Sequence, residues 1–260
     1  CGWNLIEKKM LKHKTNFIPI DSEHFSIMSL LNNTKNENIE NIYLTASGGP
    51  FLNFPLSKFK SITPRQALNH PNWKMGKKIS IDSATMMNKV FEIIEAQKIF
   101  KTDYKKLEII VHPNSYVHAI VKFSNGLTKI LVHDTSMKIP IFNSIYPKHE
   151  KKIKSKSFDL KKMNCLNFQK IELKRYPLVK IISMLSNNSS LFETVIVSAN
   201  DALVNNFLNG KIKFNDISIL LFKAVNLLEF RKYKKISPKT VKEIIKLKEY
   251  VSSKTNLMRV

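Results

Sequence analysis

The stretch His70–Glu95, HPNWKMGKKISIDSATMMNKVFEIIE, decides how this chain is read. Its loop, His70 to Gly76, sets a His, a Trp and a Met among polar neighbours, and a Trp there either packs down permanently or closes over something. Ile79 to Ile81 reads as a brief strand, with Asp82 and Ser83 capping the helix that follows. Such a helix start leaves backbone N–H groups free at the positive end of the dipole, so a phosphate can sit at Ser83. In the helix, Met87, Val90, Phe91 and Ile94 form an apolar stripe, while Asn88, Glu92 and Glu95 share the other face. Asn88, Lys89 and Glu92 lie within one turn of each other, so Glu92 is either a surface carboxylate paired with Lys89 or a cation ligand. A strand feeding a capped helix beside a polar loop points to a mixed α and β architecture.

Upstream, the apolar run Asn16 to Ile20 (NFIPI) reads as a buried strand, followed at once by Asp21-Ser22-Glu23-His24. Polar groups at the carboxyl end of a strand are where open α/β folds place ligands. On an extended backbone Asp21 and Glu23 point the same way, as a metal site needs; equally, Asp21 or Ser22 caps a helix Phe25 to Leu31. Asn33 to Glu40 is a polar connector. Ile42 to Ala46 makes a second strand, ending in Ser47-Gly48-Gly49-Pro50, where paired glycines either admit an anion to the backbone or simply turn the chain. Leu56 to Ile62 leads into Thr63-Pro64, the capped start of a short helix to Leu68.

Downstream, Leu107 to Val111 is another strand, closed by His112-Pro113-Asn114-Ser115. Val117 to Ser124 and Leu127 to Val132 flank Asn125-Gly126, a strong hairpin signal. His118 alternates with Val117 and Ala119 and so faces away from them. Met137 to Ile145 looks helical apart from Pro140. The pattern then fades into a basic, Ser-containing connector, beyond which the periodicity is helical: Leu178 to Leu185, Thr194 to Leu208 closed by Gly210, Asp216 to Phe230, and Pro238 to Val251 after Ser237. Ser198-Ala199-Asn200-Asp201 sits mid-helix as a packing or dimer feature. The expected organisation is an α+β domain with a mixed sheet over 1–146, a linker over 147–172 and a small all-α bundle over 173–260.

Composition narrows the functional classes. The 260 residues carry 43 Lys plus Arg against 20 Asp plus Glu, a formal charge of +23. Such a balance raises a nucleic-acid-binding protein as the alternative to an enzyme. The lysines are scattered, however, and the densest basic run, Lys148 to Lys156, has no aromatic residue to stack on bases. No run of about 18 apolar residues or signal-peptide pattern occurs, so neither a membrane span nor secretion is expected. Two distant cysteines, Cys1 and Cys165, argue for a reducing compartment and against structural zinc. None of the 6 glycines builds a GxGxxG or a P-loop. The chain opens without Met, directly in helix-like sequence (CGWNLIEKKMLK), which points to a piece of a longer protein.

Taken together, PIDSEH, ASGGPF, HPNWKMGKKISIDSATMMNK, IVHPNSYVHA and SAND resemble the 1-deoxy-D-xylulose 5-phosphate reductoisomerase family, in that family's order and over essentially the whole chain. The resemblance implies an NADPH- and Mg²⁺- or Mn²⁺-dependent enzyme of non-mevalonate isoprenoid biosynthesis. It would rearrange its sugar phosphate by retro-aldol and aldol steps and reduce it to 2-C-methyl-D-erythritol 4-phosphate. Residue by residue, it implies Asp21, Glu23 and Glu92 as metal carboxylates, an oxygen set suited to hard cations. Ser47, Ser83, Asn88 and Lys89 would hold the substrate phosphate with His70 alongside. Ser22 would contact substrate near the metal, Trp73 in the lid loop 70–76 would close over the carbon backbone, and His24 and His118 match active-site histidines. A cytoplasmic or plastid homodimer is implied.

Departures from the family pattern qualify this. The family's amino-terminal Rossmann domain, with most of the NADPH site, has no counterpart in these 260 residues, so the piece alone is expected not to reduce substrate. Val90-Phe91 stands where Gly-Leu is usual, Asp134-Thr135-Ser136-Met137 replaces a more acidic, Pro-containing segment, and Asp201 replaces Glu. A degenerate homologue kept for dimerisation is a third reading.

Overall fold

The computed structural model describes residues 1–32, 38–147 and 151–260. The connector expected from Asn33 and the basic run expected from Lys148 therefore fall partly outside the described residues, at 33–37 and 148–150. Helix α1 (Trp3–His13) ends with Lys14 in the left-handed region, and α2 (Ser22–Leu31) follows an irregular segment. Strand β1 (Ile39–Ala46) is connected through α3 (Pro64–Ala67), α4 (Lys77–Ala84) and α5 (Met87–Phe100) to β2 (Leu107–Val111). The hairpin β3 (Val117–Phe123) and β4 (Thr128–Val132) comes next, then α6 (Lys138–Ile145), α7 (Leu160–Asn164) and the short β5 (Gln169–Lys170). Helices α8 (Phe192–Leu208), α9 (Phe214–Val225), α10 (Leu228–Arg231) and α11 (Val241–Asn256) complete the chain.

The sheet is mixed, as expected, in the order β4-β3-β1-β2-β5. Among the described residues only β1 and β2 pair in parallel, joined by the helical crossover that a parallel pair requires. The β3–β4 hairpin turns at Gly126, whose φ of +86° supplies the left-handed residue that Asn-Gly promises. Apolar residues of β1, β2 and β3, among them Ile42, Leu44, Ile109 and Val121, pack with Ile27 and Leu30 of α2 and Ile93 and Ala96 of α5. A second core runs from Phe51 and Ile81 through Val90 to α8, α9 and α11, so α5 is buried on both sides. The first core packs α2 against α5 and the sheet, and the second backs α5 from its other side, so the starts of both helices lie beside the end of β1, where the site forms.

Several local expectations fail for identifiable reasons. Asn16 to Ile20 is no strand: Phe17, Ile18 and Ile20 are 43%, 47% and 48% exposed. A five-residue apolar run cannot say whether a partner strand lies beside it, and none does among the described residues. Consequently Asp21 and Glu23 do not share an extended backbone. Asp21 occupies the N-cap position of α2 without making a side-chain cap, and Glu23 is already helical. Ile79 to Ile81 lies inside α4, because an Ile-Ser-Ile triplet fits either period and the Lys78–Asp82 pair at i, i+4 (2.6 Å) favours the helix. Asp82 and Ser83 thus close α4 instead of opening the next helix, whose N-cap is Met86 with φ +66°.

In the carboxy-terminal part, Pro177–Met184 is a 3-10 helix, its Leu178 and Ile181 buried at the three-residue spacing that geometry prefers. The single helix expected from Asp216 to Phe230 breaks at Asn226, whose side chain returns to the Phe222 carbonyl (2.9 Å). The last helix starts later than Ser237-Pro238. Thr240 caps it by accepting from the Glu243 N–H at 3.2 Å, while the Ser237 hydroxyl is spent on the Ser189 carbonyl.

Candidate active site

The start of α2 and the first two turns of α5 approach each other beside the end of β1. Oxygens of Asp21, Glu23 and Glu92 all lie within 4.8 Å of one another. Lys89 stands between two of them, its Nζ 2.6 Å from both Glu23 Oε1 and Glu92 Oε2, and Asn88 donates to the other Glu92 oxygen. Glu92 is 4% exposed, which rules out the surface carboxylate that its sequence allowed. Burial and the neighbouring Glu23 push its carboxyl well above the usual carboxylate range. Burial works against Glu23 too, but the charge and bond of Lys89 outweigh it and hold Glu23 down at about 2. Two carboxylates, Glu92 buried and Glu23 partly so, thus share one ammonium, so the arrangement lacks positive charge. An all-oxygen donor set short of positive charge fits a hard divalent cation such as Mg²⁺ or Mn²⁺.

Behind the carboxylates, His24 ties α2 to α5. Its Nε2 donates to the Glu92 carbonyl (2.9 Å) and its Nδ1 lies 3.2 Å from Asp21 Oδ2. Burial pushes this imidazole down, but Asp21 and Glu92 overcome it and raise its pKa to about 9. His24 therefore lies outside the cavity that the three carboxylates face; it lines a neighbouring, largely apolar one of about 450 Å³ with Trp3, Phe17 and Ile94.

The carboxylate cavity, about 310 Å³, gathers the remaining expected site residues: Ser22, Ser47, His70, Trp73, Ser83, Asn88, Lys89 and His118 all line it. Ser47 directly follows β1 and its hydroxyl meets His70 Nε2 at 3.0 Å. His70 Nδ1 accepts from the backbone N–H groups of Asn72 and Trp73, so the proton sits on Nε2. Burial and the nearby Lys89 lower the His70 pKa to about 4. Gly49, φ +63°, lets this turn touch the end of α4, since a Cβ there would lie 3.1 Å from the Ser83 carbonyl oxygen. Ser83 reaches the cavity from the last turn of a helix, so the helix-dipole phosphate site expected there does not form; the Ser47, Ser83, Asn88 and Lys89 side chains line the cavity together.

Three positioning contacts escaped the sequence reading. Tyr176 donates its hydroxyl to the Gly48 carbonyl (2.6 Å) from 128 residues away, and Arg175 Nη1 bonds the carbonyls of Phe51 and Phe54. Asp82, expected to cap a helix, is 2% exposed and receives Asn200 Nδ2 at 2.7 Å, which fastens α4 to α8. An Arg-Tyr-Pro before an apolar run carries no local signal of such a role; only the SAND segment hinted at one.

Comparison with known proteins follows the same lines as the geometry. A family model described as the 1-deoxy-D-xylulose 5-phosphate reductoisomerase C-terminal domain matches residues 17–100, and one described as the DXP reductoisomerase C-terminal domain matches 133–253. The chain is 63% identical over 260 residues to the 1-deoxy-D-xylulose 5-phosphate reductoisomerase of Pelagibacter ubique, all of this chain and 67% of that protein. To the enzyme of that name from Persephonella marina it is 41% identical over 231 residues, 89% of this chain and 61% of the relative. Among solved structures it is similar to the Zymomonas mobilis reductoisomerase in complex with NADPH (TM-score 0.87, 29% identity, 98% of this chain and 64% of that one). A DOX-P reductoisomerase in complex with NADPH, fosmidomycin and magnesium superposes with a TM-score of 0.85 at 29% identity, over 98% of this chain and 65% of the other. The chain thus spans about two thirds of the length of the proteins it matches, and it belongs to the 1-deoxy-D-xylulose 5-phosphate reductoisomerase family.

Proposed function

We propose that this chain forms the metal and sugar-phosphate site of a 1-deoxy-D-xylulose 5-phosphate reductoisomerase, which rearranges and reduces that substrate to 2-C-methyl-D-erythritol 4-phosphate. The observation that carries the reading is the cluster of Asp21, Glu23 and Glu92 oxygens within 4.8 Å, facing the same cavity as Ser47, Ser83, Asn88 and Lys89. The carboxylates would hold Mg²⁺ or Mn²⁺. When bound, that cation supplies Lewis acidity toward the sugar's carbonyl and hydroxyl oxygens, and NADPH supplies hydride.

The chain's own residues do the rest. Ser47, Ser83 and Asn88 offer hydrogen bonds to the phosphate, and Lys89 offers charge. Ser22 touches the sugar beside the carboxylates. His70 orients the Ser47 hydroxyl, while His24 holds Asp21 in place from behind. Trp73, with Met75, Met86 and Met137, keeps water from the sugar's carbon chain. The proposed organisation is a site domain over 1–146, a linker over 147–172 and a helical domain over 173–260, acting as a homodimer in a reducing compartment; Cys1 and Cys165 are both exposed and unpaired. Titration of the 260-residue chain with Mn²⁺ and fosmidomycin, followed by electron paramagnetic resonance, tests the site. Tight Mn²⁺ binding that Glu92→Gln abolishes is expected; equal affinity in the variant would remove the assignment.

A further inference from the structure

On the side of the cavity away from His24, the strand β3 carries an irregularity that places one histidine on another. Register runs from Val117 opposite Val132 to Ala119 opposite Leu131, so β3 spends one extra residue there, and that residue is His118. A bulge re-aims the side chain it contains. Here it lays the His118 ring flat on His133, at the end of β4, with centroids 3.7 Å apart and planes 13° from parallel. Both rings are buried, 2% and 8% exposed, and Trp73 meets the outer side of His118 edge-on at 6.2 Å.

The hydrogen bonds fix where the protons sit. His118 Nε2 lies 3.1 Å from the His133 carbonyl oxygen, and a carbonyl only accepts, so Nε2 carries hydrogen. His133 Nδ1 is likewise 2.7 Å from the Asp134 carbonyl and must donate to it. Burial first, then the partner ring, holds His118 down at about 4, and burial lowers His133 as well. Glu23 on α2 pulls His118 the other way, and Lys89 on α5 adds to the depression. With both rings neutral, the remaining nitrogen of His118, Nδ1, is a bare acceptor on a ring that lines the cavity.

We infer that His133 is a positioning residue: its ring and its carbonyl together clamp His118 as the Nε2–H tautomer, leaving Nδ1 to accept a hydrogen bond from a hydroxyl of the bound sugar phosphate. This rests on the proposed substrate class and adds a residue to it. In the sequence His118 stands out on its strand, whereas His133 looks like one polar residue at a strand end.

Nitrogen-15 NMR of the histidine-labelled 260-residue chain at pH 7 tests it. The expected spectrum shows a pyridine-type Nδ1 and a pyrrole-type Nε2 for His118. His133→Ala, which keeps the backbone carbonyl but removes the stacked ring, should draw these two resonances together as tautomers mix, and His133→Phe, which puts a ring back, should restore them. Unchanged His118 shifts in His133→Ala would overturn the clamp. 1-Deoxy-D-xylulose 5-phosphate with Mg²⁺ should then shift Nδ1 upfield, whereas inorganic phosphate with Mg²⁺ should not. Binding of the sugar phosphate seen by calorimetry without that shift would overturn the acceptor role while leaving the functional reading intact. Absence of binding would overturn the functional reading and the acceptor role together, with the clamp still judged by the His133 variants.

Discussion

His24 and His118 flank the same carboxylates, both almost fully buried, and the fold puts them in opposite charge states. Burial lowers the pKa of each. At His24 the Asp21 carboxylate lies 3.2 Å away and reverses that push, giving an imidazolium with a pKa of about 9. At His118 the closest partner is another neutral ring, and its pKa stays near 4. The difference shows that burial sets the penalty and the partner decides its outcome. It also divides labour: a fixed positive charge stands behind the carboxylates, and a neutral acceptor lines the cavity beside them.

The largest effect that sharpens this comparison comes from the cation between the flanks. Lys89→Ala leaves Glu23 and Glu92 buried without their shared ammonium, and breaking such a pair costs about 3–5 kcal/mol. Urea unfolding at pH 7 in chelator should show that loss, and added Mg²⁺ should recover part of it; a loss under about 1 kcal/mol would mean that the carboxylates do not need the charge. Next, His24→Gln removes charge-assisted bonds and should cost about 1.5–3 kcal/mol, whereas His118→Gln removes a neutral one and should cost about 0.5–1.5 kcal/mol. Equal costs by the same measurement would break the contrast between the two flanks.

A third test is the pH dependence of stability, read as the melting temperature between pH 3 and pH 10. His70 and His118 stay neutral down to about 4 against an ordinary 6.5, so the unfolded chain binds more protons in that interval. Stability should therefore fall as pH drops from about 6.5 toward 4, and Glu23, at about 2 against 4.5, extends the fall below that. His24 acts with the opposite sign: its contribution is complete below 6.5 and is lost as pH rises through about 9. The melting temperature should peak between these limits, and the alkaline loss should vanish in His24→Gln.

Legibility from sequence followed the range of the interaction. The β3–β4 hairpin, the Thr63-Pro64 helix start and the strand Leu107–Val111 were readable because an Asn-Gly, a capping box and an apolar run each act within a few residues. The helix pair α4–α5 was misread for lack of such a signal. Its turn needs Met86 at φ +66°, a conformation that a Met side chain rarely adopts and no pattern announces. The apolar NFIPI segment misled for the complementary reason, since strand pairing depends on a distant partner.

By itself, the sequence determined the chemical inventory: carboxylates, hydroxyls, a lysine and histidines in blocks specific enough to mark a family, with α+β before helix. Tertiary structure alone decided their states. Glu23 and Glu92 are 69 positions apart, and the charge each carries depends on distances to Lys89 and to each other that no local rule sets. Which histidine is a cation, which is an acceptor, and that His133 stands beneath His118 follow from a one-residue bulge and from packing, because electrostatic energy inside a protein depends on position in space and not on order along the chain.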